Sequence, residues 1–193
     1  MGDEKIMWVY EKLLEFPVNI TKRDLKAAKI ILTQYGGDDG ELRAAIRYLN
    51  QRFNMPTNES KALLTDIGTE ELAHIEIIQT LIYKLTYGAS IEELKANGFE
   101  ENYAMHGVGM YPTDAALVPM SVVGIGSHGN DFEANLVEDL AAEEKARATY
   151  EHLMDLTNNV EVLSPLAFLR EREIVHFERF LEMLNILCKK KNS

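Results

Sequence analysis

Thr65–Ile77 reads TDIGTEELAHIEI, and it decides how the rest of the chain is read. From Ile67 onward the apolar positions continue as Ile78, Leu81 and Leu85, in alternating steps of four and three. That spacing is the core-facing stripe of a long helix. Glu71 and His74 occupy the same stripe, three residues apart, where leucines are expected. Side chains at that separation lie one above the other on one helix face. Burying a carboxylate and an imidazole is costly unless something pairs with them, and a metal ion is the obvious partner.

The stretch has a twin. Leu166, Leu169, Glu173, His176, Phe180, Met183 and Leu187 form a second stripe with Glu-x-x-His at its centre. Thirty residues before each pair stands another glutamate, Glu41 and Glu143, and seven residues after each of these a tyrosine, Tyr48 and Tyr150. The whole pattern therefore occurs twice, offset by 102 residues. One Glu-x-x-His on a helix is usually a solvent-facing accident; two on apolar stripes, with matched upstream glutamates, are not.

Punctuation along the chain divides it into helices. Residues 1–20 mix apolar and charged residues and read as a docked arm. Thr21 is placed as the cap of a short helix to about Gln34, ended by Gly36-Gly37. Asp38-Asp39 opens a helix to about Asn54, and Pro56 breaks it; Thr57 or Asn58 caps a long helix to Tyr87. Ser90 caps a short helix to about Ala96. The segment 98–130, rich in glycine and without a period, reads as a long crossover. Asn130 or Asp131 starts a third long helix to about Leu156, and after the turn Thr157-Asn158-Asn159 a fourth runs from about Glu161 to Leu187.

This predicts an all-α, single-domain chain (1–193): a ferritin-like four-helix bundle of two helical hairpins, 38–87 and 131–188, joined by the crossover. Residue 56, midway between Glu41 and Glu71, falls in the first turn, and residue 158, midway between Glu143 and Glu173, in the second. Antiparallel residues equidistant from their turn sit at one height, so six ligand-type side chains are expected in one layer.

The bulk properties fit. The 193 residues suit one domain with a sizeable core, and a net charge of −11 argues against nucleic acid or an anionic membrane surface as partner. No run of 18 apolar residues suggests a membrane span, and the acidic opening lacks the basic region of a secretory signal. The single cysteine, Cys188, excludes an intrachain disulfide and fits a reducing compartment.

Four inward carboxylates would balance two divalent ions, and oxygen-rich ligation with one imidazole per metal suits iron or manganese. Such a pair suits redox chemistry on dioxygen or peroxide. Tyr48 and Tyr150 are either core tyrosines or donors to a buried glutamate. Arg147, four after Glu143, is either a surface arginine or a cation near the site. His152 points away from the layer, His106 and His128 fall in the crossover, and Glu70, Glu76, Glu144 and Glu178 lie off the stripes and read as solvated.

The segments GELRAAIRYLNQ (40–51), TDIGTEELAHIE (65–76), AAEEKARATYEHL (141–153) and FLREREIVHFERF (168–180) resemble the metal-binding segments of the manganese catalases. The opening MWVYEKLLEFPV and the short length resemble their CotJC-type spore-coat branch. The likeness covers nearly the whole chain.

The resemblance implies disproportionation of hydrogen peroxide by two manganese ions per chain, with iron the alternative. It assigns Glu41, Glu71 and His74 to one metal, Glu143 and His176 to the other, and the bridge to Glu71. It makes Glu173 a proton-handling residue, whereas internal symmetry alone would make it a ligand like Glu71. Tyr48 and Arg147 join Glu173 as candidate catalytic residues. A homo-oligomer, a hexamer in the family, is implied, as are other spore-coat proteins as partners and a coat location after synthesis in the cytoplasm. Two departures stand out: Ala142 takes the place of an arginine common in larger manganese catalases, and their C-terminal tail is missing. The alternatives are a structural coat protein with a non-catalytic metal site, or a ferritin-like iron oxidase or peroxidase. The lack of Cys-x-x-Cys weakens a rubrerythrin-like form.

Overall fold

The computed structural model describes residues 13–123, 125 and 128–191. The helices are α1 (Leu25–Gly36), α2 (Glu41–Gln51, extended by a 3₁₀ turn, Arg52–Asn54), α3 (Asn58–Thr86), α4 (Ile91–Ala96), α5 (Glu100–His106), α6 (Phe132–Leu156) and α7 (Val160–Lys191). Among the described residues there is no strand, only an isolated bridge between Thr113 and Pro119. None of the helices is long and apolar enough to cross a membrane.

The chain is a ferritin-like helical bundle. α2 pairs with α3 and α6 with α7, while α3 meets α7 and α2 meets α6 across the two halves. The caps are set by short polar side chains. Thr57 and Ser60 form a reciprocal capping box at the start of α3, Ser90 and Glu93 do the same for α4, and Asp131 caps α6.

Two local expectations are corrected, and the place of the first helix is added. Asp24, not Thr21, caps α1, its carboxylate accepting from the Ala27 amide; Thr21 instead donates through its amide and hydroxyl to Glu161. α1 packs along the first hairpin. The Asp24 amide bonds to the Leu85 carbonyl at the end of α3, and Arg52 beyond α2 reaches Thr65 near its start. α1 and α2 thus form one interrupted helix running antiparallel along α3. The interruption lies at Gly36-Gly37, where a Cβ on Gly36 would collide with the backbone of Pro112 and Thr113. Finally, the crossover contains α5, a helix too short to show a hydrophobic period.

Both stripes are buried as expected, apart from the half-buried Met183. Each fully buried Leu or Ile stabilises the fold by about 1.5–3 kcal/mol before the entropy cost of ordering it. The apolar core falls into two clusters. One gathers α1, the C-terminal part of α3 and the N-terminal part of α7; the other gathers Tyr48, Leu64, Ile67, Leu136, Phe180 and Leu187. The layer of glutamates and histidines lies between them.

Candidate metal centre

α2, α3, α6 and α7 bring Glu41, Glu71, His74, Glu143, Glu173 and His176 together, none more than 3% exposed. Their donor atoms converge in two groups. Glu41, Glu71, His74 and Glu173 form one; Glu71, Glu143 and His176 form the other, with the atoms of each group within 4.8 Å of one another. Glu71 belongs to both. Its Oε2 is 2.9 Å from His74 Nδ1 and its Oε1 is 2.8 Å from His176 Nδ1. The two imidazoles stack with centroids 5.5 Å apart, so each presents Nδ1 to the layer.

Donor atoms this close would ordinarily be hydrogen-bonded, yet several are not. Glu143 Oε2 and Glu173 Oε1 are buried without a hydrogen-bond partner among the described residues, and Glu71 Oε1 and His176 Nδ1, though 2.8 Å apart, do not meet in hydrogen-bonding geometry. Orphaned polar atoms cost about 1–3 kcal/mol each, more when charged. Lone pairs converging on a shared point at hard-ligand spacing are the arrangement that a pair of divalent cations satisfies. The residues present therefore fit bound metal, with Glu71 shared by both donor groups.

Without a metal the layer holds protons. Burial, reinforced by the neighbouring Glu71, pushes Glu41 up to about 8. Burial, then Glu41 and Glu143, pushes Glu173 well above the carboxylate range. Burial works against charge on His74 and His176, but Glu71 and neighbouring carboxylates raise both well above the usual imidazole value. Glu71 goes the other way: burial would raise it, and the two imidazoles overcome that and hold it below the usual range.

Tyr48 and Tyr150 are fully buried, and each donates to a glutamate of the opposite half. Tyr48 gives its hydroxyl proton to Glu143 Oε1 at 2.5 Å, and Tyr150 to Glu41 Oε1. The expected donation to a buried glutamate is seen, but across the bundle rather than along the helix. The reason is direction. Contacts between α2 and α6 run in opposite chain order, from Gln34–Ala146 ahead of α2 through Asp39–Lys145 to Tyr48–Glu143. A tyrosine two turns, about 10 Å, along its own helix turns away from its own glutamate, and the antiparallel neighbour brings the partner's within its reach.

The structure does not bring Arg147 to the layer. Its Nε pairs with Glu144 and its Nη1 with Glu151, each at 2.8 Å, in a surface set that continues to Arg170. His106 and His128 are exposed, as is His152.

One residue was misread: Glu70, expected to be solvated, is largely buried beneath the histidines. Its carboxylate approaches His176 Nε2 at 3.2 Å and His74 Nε2 at 3.7 Å, and it accepts from Arg172 Nε at 2.6 Å. Burial would raise its pKa, but His176, His74 and Arg172 hold it well below the usual range. A carboxylate on the Nε2 side of both imidazoles favours an orientation that leaves Nδ1 for a metal, although neither Nε2 is within hydrogen-bonding geometry of it. The signal was in the sequence, because Glu70 and Arg172 are themselves 102 residues apart and so are mates in the repeat. Glu15, ahead of α1, also comes within 3.7 Å of His74 Nε2, and Phe16 stacks on Phe168, so residues 14–20 cover this side of the layer.

The fold and this layer define a class: a ferritin-like bundle with a carboxylate-rich candidate metal site. Residues 7–193 match the family described as manganese containing catalase. The chain is 48% identical over 186 residues to protein CotJC of Bacillus subtilis, covering 96% of this chain and 97% of that protein. It is 33% identical to a probable manganese catalase of Clostridium acetobutylicum, covering 93% of this chain and 80% of that one. The crystal structure of KatB, a manganese catalase from Anabaena, superposes with a TM-score of 0.84 at 31% identity, covering 95% of this chain and 82% of the other. The chain belongs to the manganese catalase family, with its CotJC-type branch.

Proposed function

We propose that the chain disproportionates two molecules of hydrogen peroxide to two of water and one of dioxygen, using two manganese ions held by Glu41, Glu71, His74, Glu143 and His176. The observation that carries this reading is the pair of buried donor groups sharing Glu71. Manganese held there would supply redox chemistry at two adjacent centres.

The chain's own residues do the rest. Glu71, shared by both donor groups, would hold the two ions side by side. Glu70 sets a negative charge on the Nε2 side of both imidazoles, and Tyr48 and Tyr150 steady Glu143 and Glu41. The two apolar clusters exclude bulk water on either side. Each cycle must move two protons between oxygens as one O–O bond breaks. Glu173 is the residue for that: it is buried in the layer and its Oε1 has no hydrogen-bond partner among the described residues. Positioned acid–base help of this kind is typically worth about 10²–10⁴-fold.

The test is oxygen evolution from peroxide by protein from manganese-supplemented and iron-supplemented cells, with metal content measured. Two manganese ions per chain with oxygen release are expected. Glu173→Gln should keep both ions and lose most of the turnover. A manganese-loaded protein that evolves no oxygen would sink the reading, and loss of one ion in Glu173→Gln would instead make Glu173 a ligand.

A second reading concerns place rather than chemistry. The 48% identity to CotJC over nearly both chains supports a spore-coat location, with a homo-oligomer and other coat proteins as its partners. Fractionation of spores tests it: recovery from the core rather than the coat would refute it.

A further inference from the structure

His74 and His176 turn Nδ1 to the layer, so their buried Nε2 atoms face the other way. An imidazole that binds metal through one nitrogen is steadied by a carboxylate at the other. The helical repeat supplies one such carboxylate for the two rings. Glu70 lies 3.2 Å from His176 Nε2, but its mate 102 residues on is Arg172, a cation that closes on Glu70 itself at 2.6 Å. His74 Nε2 stands farther off, 3.7 Å from a carboxylate already engaged by two other groups.

A second carboxylate arrives from outside the repeat. Glu15 Oε2 lies 3.7 Å from His74 Nε2, and Glu15 stands in the extended stretch ahead of α1. That stretch alternates: Leu14, Phe16, Val18 and Ile20 turn to the core, and the residues between them stand outward. Two contacts seat it beside the layer. Phe16 stacks on Phe168 at 4.7 Å, and Phe168 meets the His74 ring edge-on at 6.5 Å. Lys84 Nζ donates to the Val18 carbonyl at 2.5 Å. Glu15 is on the outward side and could extend into water, yet its side chain is 31% exposed and folds back over His74. Burial raises its pKa; His74, then Arg172 and His176, act the other way, while Glu70 adds to burial. A carboxylate that gives up water needs an opposite group to meet it, and His74 is that group. At 3.7 Å the contact is one of charge rather than a formed hydrogen bond. Negative charge there favours a proton on Nε2 and leaves the Nδ1 lone pair for a metal.

We propose that Glu15 is a positioning residue of the metal centre: it holds the proton of His74 on Nε2, so that the ion shared by His74, Glu41 and Glu71 depends on residues 14–20 being seated. The two halves of the centre then differ. His176 is backed from within the bundle by Glu70, and His74 by a segment that can lift without unfolding a helix. This rests on the two-ion site proposed above, and no bond is made or broken at Glu15.

The test titrates manganese into the full metal-free chain by calorimetry, with Glu15→Gln and Phe16→Ala beside the unaltered protein, and records the electron paramagnetic resonance of each. Glu15→Gln removes the charge and keeps the shape, so it should weaken one ion roughly tenfold and leave the other within about twofold. At limiting manganese the signal of a lone ion should then replace that of an exchange-coupled pair. Phe16→Ala loosens the segment without touching the ligands, and should weaken the same ion. Glu70→Gln, facing both imidazoles, should weaken both. A Glu15 that only covers the surface would shift the melting temperature of the metal-free chain and leave both affinities unaltered. That result overturns the proposal, as does equal weakening of the two ions by Glu15→Gln. If one of the two variants does not fold, the other decides it. An unaltered chain that takes up no pair of ions overturns the two-ion site and this proposal together. One that binds both ions and evolves no oxygen loses the catalase reading alone, and the affinities still judge Glu15.

Discussion

Stripping the metal should make the stability of the fold depend on pH in a direction that the buried layer dictates. Glu41 has an ordinary pKa of 4.5 and is pushed up to about 8 in the folded, metal-free chain, first by burial and then by Glu71. A raised folded pKa means that the folded state binds the proton more tightly, so the stabilisation is complete below the unfolded value and is lost as pH rises through the folded one. Between pH 6 and 8 that loss is about 2 kcal/mol for Glu41. For a chain of this length it corresponds to a melting temperature lower by about 4–8 °C. Glu173, His74 and His176 are shifted in the same direction and add to it. Glu71, shifted down, opposes only at acid pH, where it is protonated as pH falls through its folded value. The metal-loaded chain should behave differently, because the ions hold these carboxylates charged and the imidazoles neutral at every pH in the window. The assay is differential scanning calorimetry of the chelated and manganese-loaded protein at pH 6, 7 and 8. A metal-free transition that stays level or rises with pH would show that the layer is solvated and that its burial has been misjudged.

Other outcomes follow from the same geometry. Chelation at neutral pH should lower the melting temperature outright, since each site filled at a thousand times its Kd contributes about 4 kcal/mol; an unchanged transition after verified metal loss would contradict this. Manganese loading near pH 7 should release protons, measurable by titration in buffers of different ionisation enthalpy, and zero release would mean that the free layer is already charged. Glu71→Ala should lose both ions because the residue is shared by both donor groups, and a variant retaining two tightly bound ions would refute the bridge. Glu70→Gln should weaken manganese binding by roughly 10–100-fold while leaving the fold intact, and unaltered affinity would deny it a role in orienting His74 and His176.

The layer itself was legible in the chain. Two apolar stripes interrupted by Glu-x-x-His, with glutamates thirty residues upstream, carry their own register, because helical period and distance from a turn are local properties. The six residues that sequence placed at one height do meet there. Helix caps built on short-range contacts were readable for the same reason, as at Thr57 and Ser90. What tertiary structure decided are the contacts made between helices rather than along them. Tyr48 crosses to Glu143 because α2 and α6 run in opposite directions, and no spacing within either helix encodes that reach. Glu70 looked solvated because it lies off the stripe of its own helix, and only α7, bringing Arg172 and His176 against it, makes it part of the site. Arg147 lies one turn from Glu143 on α6, yet it turns outward because Glu144 and Glu151 offer it charge in water, where the layer would demand desolvation. Glu15 gave no sign in the sequence, since it lies outside the repeat. Its place beside His74 depends on residues 14–20 packing against α7, and a side chain's surroundings belong to the packed elements rather than to the period of any one helix.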